Sequence, residues 1–183
     1  MKRSPVLILS LAVLLVAAFA APRVIRAQAK PVIVVQTAKG NIEIELDPAS
    51  APKSVERILE LVKTNFYRGQ RVHWVQTGVV QFGDPQSRDM TKVDLWGRGG
   101  SGKPIGVAEL SRGPFVRGSV GFAYRTNLKP ETADSQIFIL TGPNPALNGK
   151  FAMLGKVISG LDVAEKLAVR DVIRNVTLKG SLP

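Results

Sequence analysis

The chain has 183 residues, a formal net charge of +11, no cysteine and one histidine. This length is typical of one domain with a substantial hydrophobic core, and the composition excludes disulfides, thiolate nucleophiles and cysteine-based zinc sites. A single histidine also argues against a histidine-rich metal centre. The basic residues are scattered and not interleaved with aromatic residues, so we expect no nucleic acid partner and interpret most of the charge as solvated surface.

Residues 1–29 have the pattern of an export signal. Two basic residues precede an apolar run, Val6–Ala21, which is about as long as a signal-peptide core and short for a membrane span. Cleavage after Ala29 is preferred over a second small-x-small site at residues 18–20, because a polar, proline-marked segment follows it. We therefore predict an exported protein, periplasmic or extracellular, with its domain over residues 30–183. The alternative is that the apolar run is retained as a membrane anchor.

The folded part begins with two predicted strands and a helix. Val32–Thr37 is an apolar run, and Asn41–Leu46 alternates apolar and polar residues as a strand with one buried face does. Pro52 can occupy the first turn of a helix. Apolar residues at helical spacing follow it: Val55, Ile58, Leu59, Val62 and Phe66. This stripe predicts an amphipathic helix that covers a sheet or barrel.

The stretch 71–84 combines strand patterns with polar residues suited to a site. Two β-type runs, Arg71–Val75 and Val79–Phe82, flank a Thr-Gly turn and carry the only histidine and a glutamine among valines. Alternation along an extended chain places His73 on the face opposite to Trp74 and Val72.

Residues 85–117 are rich in glycine, proline and charge, which predicts a long loop that is functional or packed on itself. Within it, Gly97–Lys103 matches a dinucleotide fingerprint and most of a phosphate-binding loop. No apolar strand precedes these glycines, Pro104 stands where Ser or Thr would hold magnesium, and no helix pattern follows. We therefore reject a nucleotide site and expect a surface loop there.

The remaining pattern predicts four strands and one short helix: Val120–Ala123, Ser135–Leu140, Phe151–Val157, Leu161–Ala168 as the helix, and Val172–Leu178. In the second of these strands Gln136, Phe138 and Leu140 share a face, where an amide and a ring could bind a peptide or simply form sheet core. The whole pattern predicts a mostly β fold, a closed eight-stranded antiparallel barrel capped by two α-helices, because closure removes exposed strand edges.

Six short motifs occur in order along the chain. They are Val72-His73-Trp74, Val79-Val80-Gln81-Phe82-Gly83-Asp84, Gly118-Ser119-Val120-Gly121-Phe122-Ala123, Asp134-Ser135-Gln136-Ile137-Phe138-Ile139, Leu147-Asn148-Gly149-Lys150-Phe151 and Leu154-Gly155-Lys156-Val157. Together they resemble the cyclophilin family of peptidyl-prolyl cis-trans isomerases over about residues 32–178. The resemblance implies a barrel whose outer groove binds a proline-containing polypeptide.

The implied reaction is rotation about the peptide bond before proline, which has a barrier of roughly 18–20 kcal/mol. The resemblance implies no proton transfer, no cofactor and no metal. Catalysis would consist of binding the twisted amide more tightly than either planar form. We expect a monomer whose partners are proline-containing polypeptides, with membrane contact only through a retained N-terminal segment.

The resemblance also implies two sets of site residues. The substrate-binding set forms the proline pocket and groove wall: Val79, Ala123, Tyr124, Phe138, Leu147 and Phe151. The catalytic positions are His73, Trp74, Gln81 and Gln136. The two glutamines would hydrogen-bond the peptide backbone, and the histidine would support the site.

Three departures from the family pattern affect the expected activity. Trp74 replaces the arginine that polarises the prolyl amide, and indole offers one N–H donor and no charge. The segment after it is one residue shorter and reads Thr77-Gly78, and Ala146 replaces a bulky residue before Leu147. Arg125 and Arg71 are candidates to compensate, although the motifs place neither in the site. The sequence therefore predicts an isomerase with reduced activity, and the alternative is a non-catalytic proline-peptide-binding chaperone or scaffold module.

Overall fold

The structure, a computed structural model, describes residues 29–180. The predicted export segment, residues 1–29, lies outside the described residues apart from its last position, so its cleavage or retention stays a prediction. Within the described part of the chain, no helix is long and apolar enough to cross a membrane.

Within residues 29–180, eight strands form one antiparallel sheet, accompanied by two α-helices. The strands are β1 (Val32–Thr37), β2 (Gly40–Leu46), β3 (Trp74–Gln76), β4 (Val79–Phe82), β5 (Ser119–Phe122), β6 (Ile137–Leu140), β7 (Ala152–Ser159) and β8 (Ile173–Leu178), and the helices are α1 (Pro52–Lys63) and α2 (Leu161–Lys166). Their order in the sheet is β3-β4-β6-β5-β7-β2-β1-β8. The predicted mostly β architecture with two helices is confirmed.

The predicted closure of the barrel is overstated. The sheet order has β3 and β8 as its two ends, so these strands do not pair along their lengths. The gap between the β3 and β8 ends of the sheet, called the seam here, is bridged by short irregular segments. Val72 N–H donates to Asp171 O at 2.9 Å and Ile173 N–H donates to Gln70 O at 2.8 Å across it. Arg170 has a φ of 80°, which takes the chain out of the extended conformation that a continuous ladder needs. The sheet is therefore curled and incompletely closed.

The core lies inside the curled sheet. On β1 and β2 the alternate residues Ile33, Val35, Ile42 and Ile44 are fully buried, as the predicted period of two requires. Helix α1 packs against this core with Val55, Ile58, Leu61 and Val62. Leu61 was missing from the predicted stripe, and Phe66 lies after the helix ends at Lys63.

The predicted strand Arg71–Val75 is wrong at its first residues. Regular pairing begins only at Trp74, and Arg71 makes an isolated bridge to Val172. Val72 is fully buried in the core while Trp74 is 41% exposed, so these two side chains do not share a face as predicted. The reason is that Val72 hydrogen-bonds across the seam, to Asp171 O and from Arg170 N–H, whereas the chain joins β4 from His73 N–H onwards, which donates to Gln81 O at 3.1 Å.

Candidate active site

A second hydrophobic cluster lies apart from the core, and the alternation of β4 and β6 creates it. Val80 and Ile139 point into the core, whereas their neighbours Val79, Phe138 and Leu140 belong to the second cluster. The predicted faces of β6 are confirmed. The same short strands therefore supply the core on one side and a functional surface on the other.

The ring of Phe138 is held firmly within this cluster. Gly121 pairs with Phe138 across β5 and β6, and a Cβ at Gly121 would lie only 2.0 Å from Phe138 Cζ. The ring therefore lies against bare backbone. Phe115 and Phe151 pack on it with ring centroids at 5.7 and 5.4 Å, and Tyr124 stacks on Phe151 at 4.8 Å. This aromatic packing gives the surface a rigid floor.

A cavity of about 320 Å³, called the main cavity here, opens over that floor. Its volume is at the lower end of the range for ligand sites and suits one small ring with flanking backbone. Its lining includes nine of the ten predicted site residues: Trp74, Val79, Gln81, Ala123, Tyr124, Gln136, Phe138, Leu147 and Phe151. The structure thus brings these residues together although they come from four separate parts of the sequence.

The two glutamines have different roles in the geometry. Gln81 Nε2 donates to Gln136 Oε1 at 2.7 Å, and Gln136 Nε2 donates to Gly97 O at 3.0 Å and to Gly99 O at 2.7 Å. Both N–H groups of Gln136 are therefore occupied by carbonyls that can only accept. Gln81 keeps one N–H and its Oε1 for a bound peptide, and Gln136 orients Gln81.

The glycine-rich segment Gly97–Lys103 supports this pair, which the sequence did not reveal. Besides the two carbonyls that hold Gln136, Gly99 N–H donates to the buried Asp84 Oδ2 at 3.1 Å. A Cβ at Gly99 would lie 2.4 Å from Asp84 Oδ1, so a side chain there would displace the loop. The segment is therefore part of the site's framework, and only its long-range contacts identify it as such.

His73 is the predicted site residue that does not line the main cavity. Its Nδ1 and Nε2 are buried and have no hydrogen-bond partner among the described residues. A Cβ at Gly97 would lie 3.3 Å from His73 Cδ2, which places the ring beside the glycine-rich segment. Burial lowers the pKa of His73 to about 4, partly opposed by the charge of Asp84. The imidazole is therefore neutral at pH 7 and packs behind the site.

Trp74 occupies the position of the missing arginine at the edge of the main cavity. It pairs with Gln81 in the β3–β4 register, and no hydrogen bond of its side chain is found within residues 29–180. Arg125 also lines the main cavity and is exposed. The guanidinium of Arg71 instead donates to Arg170 O at 3.3 Å, at the seam of the sheet. Of the two arginines considered as replacements, only Arg125 lines the main cavity.

Phe115 belongs to the second hydrophobic cluster, beneath the main cavity, and sequence reasoning missed it. It is buried against Phe138, and its N–H donates to Asn148 Oδ1 at 2.8 Å. Phe115 follows Gly113-Pro114 in an irregular loop, where no periodic pattern marks a residue as buried. Its aromatic character within a polar, glycine-rich region was the only available signal.

Comparison with known proteins identifies a family. The family model for cyclophilin type peptidyl-prolyl cis-trans isomerase/CLD matches residues 32–180. A protein of Brucella suis biovar 1 (strain 1330) named "Probable peptidyl-prolyl cis-trans isomerase" is 38% identical over 154 residues, covering 80% of this chain and 76% of that protein. Peptidyl-prolyl cis-trans isomerase B of Bacillus subtilis (strain 168) is 34% identical over 140 residues, covering 76% of this chain and 91% of that protein.

Solved structures share the fold. A cyclophilin type peptidyl-prolyl cis-trans isomerase from Cryptosporidium parvum superposes with a TM-score of 0.70 at 23% identity, covering 84% of this chain and 99% of that chain. The cyclophilin AquaCyp293 from Hirschia baltica also gives a TM-score of 0.70, at 20% identity, covering 85% of this chain and 76% of that chain.

Proposed function

The chain belongs to the cyclophilin-type peptidyl-prolyl cis-trans isomerase family, and on that premise we propose that its main cavity catalyses the cis–trans isomerisation of X–Pro bonds in exported proteins. We expect the reaction to be slower than in a site that contains the family arginine. The observation that carries this proposal is the assembly of nine predicted site residues around one cavity.

The geometry accounts for binding of a proline segment. A prolyl ring fits the apolar surface made by Phe138, Val79 and Leu147, which line the main cavity together. Gln81, held by Gln136, presents an acceptor and one remaining donor to the peptide backbone. These contacts fix the peptide on both sides of the rotating bond, so binding energy can be used to favour the twisted amide. The chemistry requires no proton transfer, in agreement with a neutral His73 outside the cavity.

Trp74 supports a reduced rate. An arginine would place a charge and several N–H donors at the amide, whereas indole offers a flat surface and one N–H. By analogy with removal of one preorganised donor elsewhere, the loss costs about 3 kcal/mol of transition-state stabilisation, roughly a hundredfold in rate. Added apolar contact from the indole strengthens binding of the planar and twisted forms alike, which does not accelerate the reaction. The same residue is what favours the second candidate function, a module that binds proline segments without useful catalysis.

Exported clients are proposed from the sequence of residues 1–29 alone. The basic start, the apolar run and the small-x-small site are the features of a secretion signal. An exported isomerase would act on secreted chains whose folding is limited by prolyl isomerisation.

Exchange spectroscopy by NMR on an Ala-Pro peptide tests the proposed function. The purified protein is expected to accelerate cis–trans exchange above the rate seen with an unrelated control protein. A Gly121→Ala variant should lose this acceleration, because the new Cβ would lie 2.0 Å from Phe138 Cζ and displace the ring. Gly113→Ala is the matched control, since its Cβ would lie 3.7 Å from Ser111 Oγ and leave the cavity intact. If the Gly121→Ala variant still accelerated exchange, the main cavity would not be the site of the activity.

A further inference from the structure

A second cavity of about 140 Å³, called the side cavity here, adjoins the main cavity. The two cavities share Ala123, Tyr124, Arg125 and Gln136 in their linings. An extended peptide advances about 3.3 Å per residue. A peptide with its proline in the main cavity can therefore place a side chain from within a few positions into the side cavity.

Two arginines line the side cavity, Arg98 from the glycine-rich segment and Arg125 from the loop after β5. Both residues are exposed, and within residues 29–180 neither guanidinium makes a hydrogen bond or an ion pair. Their positive charges are therefore available to a ligand.

Asp134 is the one acidic residue among the described residues that line the side cavity, and its carboxylate already accepts hydrogen bonds from other groups. Asp134 Oδ1 accepts from the hydroxyl of Ser101 and lies 3.5 Å from the guanidinium of Arg57. Asp134 Oδ2 accepts from Gly102 N–H at 2.8 Å and from Lys103 N–H at 3.2 Å. The carboxylate of Asp134 is engaged by these donors and makes no ion pair with Arg98 or Arg125, so the lining holds two arginines against one aspartate, a formal excess of one positive charge.

The backbone that carries Arg98 is well ordered by its contacts. The carbonyls on both sides of it, Gly97 O and Gly99 O, accept from Gln136 Nε2. On the other segment, Arg125 O accepts from Leu128 N–H at 2.7 Å within a turn. Both arginines therefore belong to segments whose backbones are held by hydrogen bonds. A guanidinium group is well suited to bind a carboxylate through two parallel hydrogen bonds.

We propose that this protein selects proline segments that carry an acidic side chain, Asp or Glu, within about two or three residues of the proline. The carboxylate binds in the side cavity to Arg98 and Arg125. This inference rests on the proposed function, because it requires the proline to occupy the main cavity. It identifies the substrate class as acidic proline-containing segments.

Peptides that differ at one position test the inference. Each contains Ala-Pro and carries Glu, Gln or Lys two residues from the proline, in one series before it and in another after it. Affinity for the full chain is measured by NMR titration at low and high salt. In at least one series the Glu peptide should bind roughly three- to tenfold more tightly than the Gln peptide, and the Lys peptide more weakly than both. The preference should shrink at high salt because these charges are exposed.

Charge variants assign the preference to the side cavity. Arg98→Gln combined with Arg125→Gln should bring the Glu and Gln affinities together, whereas Arg112→Gln, an exposed arginine that lines neither cavity, should leave the preference intact. Arg125→Glu should shift the preference towards the Lys peptide. A misfolded variant would lose affinity for every peptide, so tighter binding of the Lys peptide cannot result from misfolding. Equal affinity for Glu and Gln peptides in both series would overturn this inference and leave the proposed function standing. Absence of binding by every peptide would overturn both.

Discussion

The buried imidazole of His73 makes the stability of the protein depend on pH in a defined window. Its ordinary pKa of 6.5 is lowered to about 4 in the folded protein by burial. Between these two values the unfolded chain binds a proton that the native state does not bind. The free energy of unfolding is therefore unaffected by this group above about pH 6.5, falls as the pH is lowered towards 4, and is constant below that.

The magnitude follows from the two pKa values. Their difference of about 2.5 corresponds to roughly 3 kcal/mol in full, at about 1.36 kcal/mol for each pKa unit. From pH 7 to pH 5 the linkage relation gives a loss of about 2 kcal/mol. Aspartates with lowered pKa values, Asp47 and Asp171 among them, lose their contribution only at lower pH, below about 4.

Urea denaturation at pH 7 and pH 5 measures this effect, with His73→Phe as the variant that cannot titrate. We expect the wild-type protein to lose about 2 kcal/mol between the two conditions and the variant to lose almost none. Because the chain has a single histidine, its imidazole resonance also reports the folded pKa directly by NMR. Equal stability of the wild-type protein at both pH values, or an imidazole that titrates near 6.5, would refute this reasoning.

The remaining predictions concern the glutamine pair and the segment that holds it. Gln81→Leu should lower kcat/KM for a proline peptide and reduce the free energy of unfolding less than Gln136→Leu does, because it removes one side-chain hydrogen bond, the one to Gln136 Oε1, together with the groups that face the cavity. Gln136→Leu should lower both, since Gly97 O and Gly99 O lose their donor at a cost of about 1–3 kcal/mol; equal effects of the two variants on urea unfolding would contradict their separate roles. Gly99→Ala should resemble Gln136→Leu in both assays, because its Cβ would lie 2.4 Å from Asp84 Oδ1 and displace the loop from the site. A Gly99→Ala variant as active and stable as the wild-type protein would contradict the claim that this loop supports the site.

Local periodicity was sufficient to predict most of the fold, whereas most residues of the cavity were predicted from the resemblance to the family. On β6 the alternation of Ile137 and Ile139 with Phe138 and Leu140 separates core from site, and it depends only on neighbouring residues. The amphipathic pattern of α1 likewise needed no knowledge of distant contacts. The family motifs then assigned roles to residues on these strands.

The features that the sequence could not predict depend on contacts between distant residues. The support of Gln136 by Gly99 joins positions 37 residues apart, and nothing in the composition of the glycine-rich segment indicates that its carbonyls accept from a side chain. The open seam depends on Val72 bonding across to Asp171, a competition between partners that alternation along one strand cannot reveal. The burial of Phe115 in an irregular loop has the same origin.

The most direct test of the account is the rate of cis–trans exchange of an Ala-Pro peptide with the wild-type protein and with Trp74→Arg, beside an unrelated control protein. We predict that the wild-type protein accelerates exchange above the control and that Trp74→Arg accelerates it further, by up to about a hundredfold if the guanidinium recovers the full 3 kcal/mol or so. A wild-type rate equal to that of the control, with peptide binding retained and activity gained only in the variant, would contradict the isomerase proposal and identify a proline-peptide-binding module.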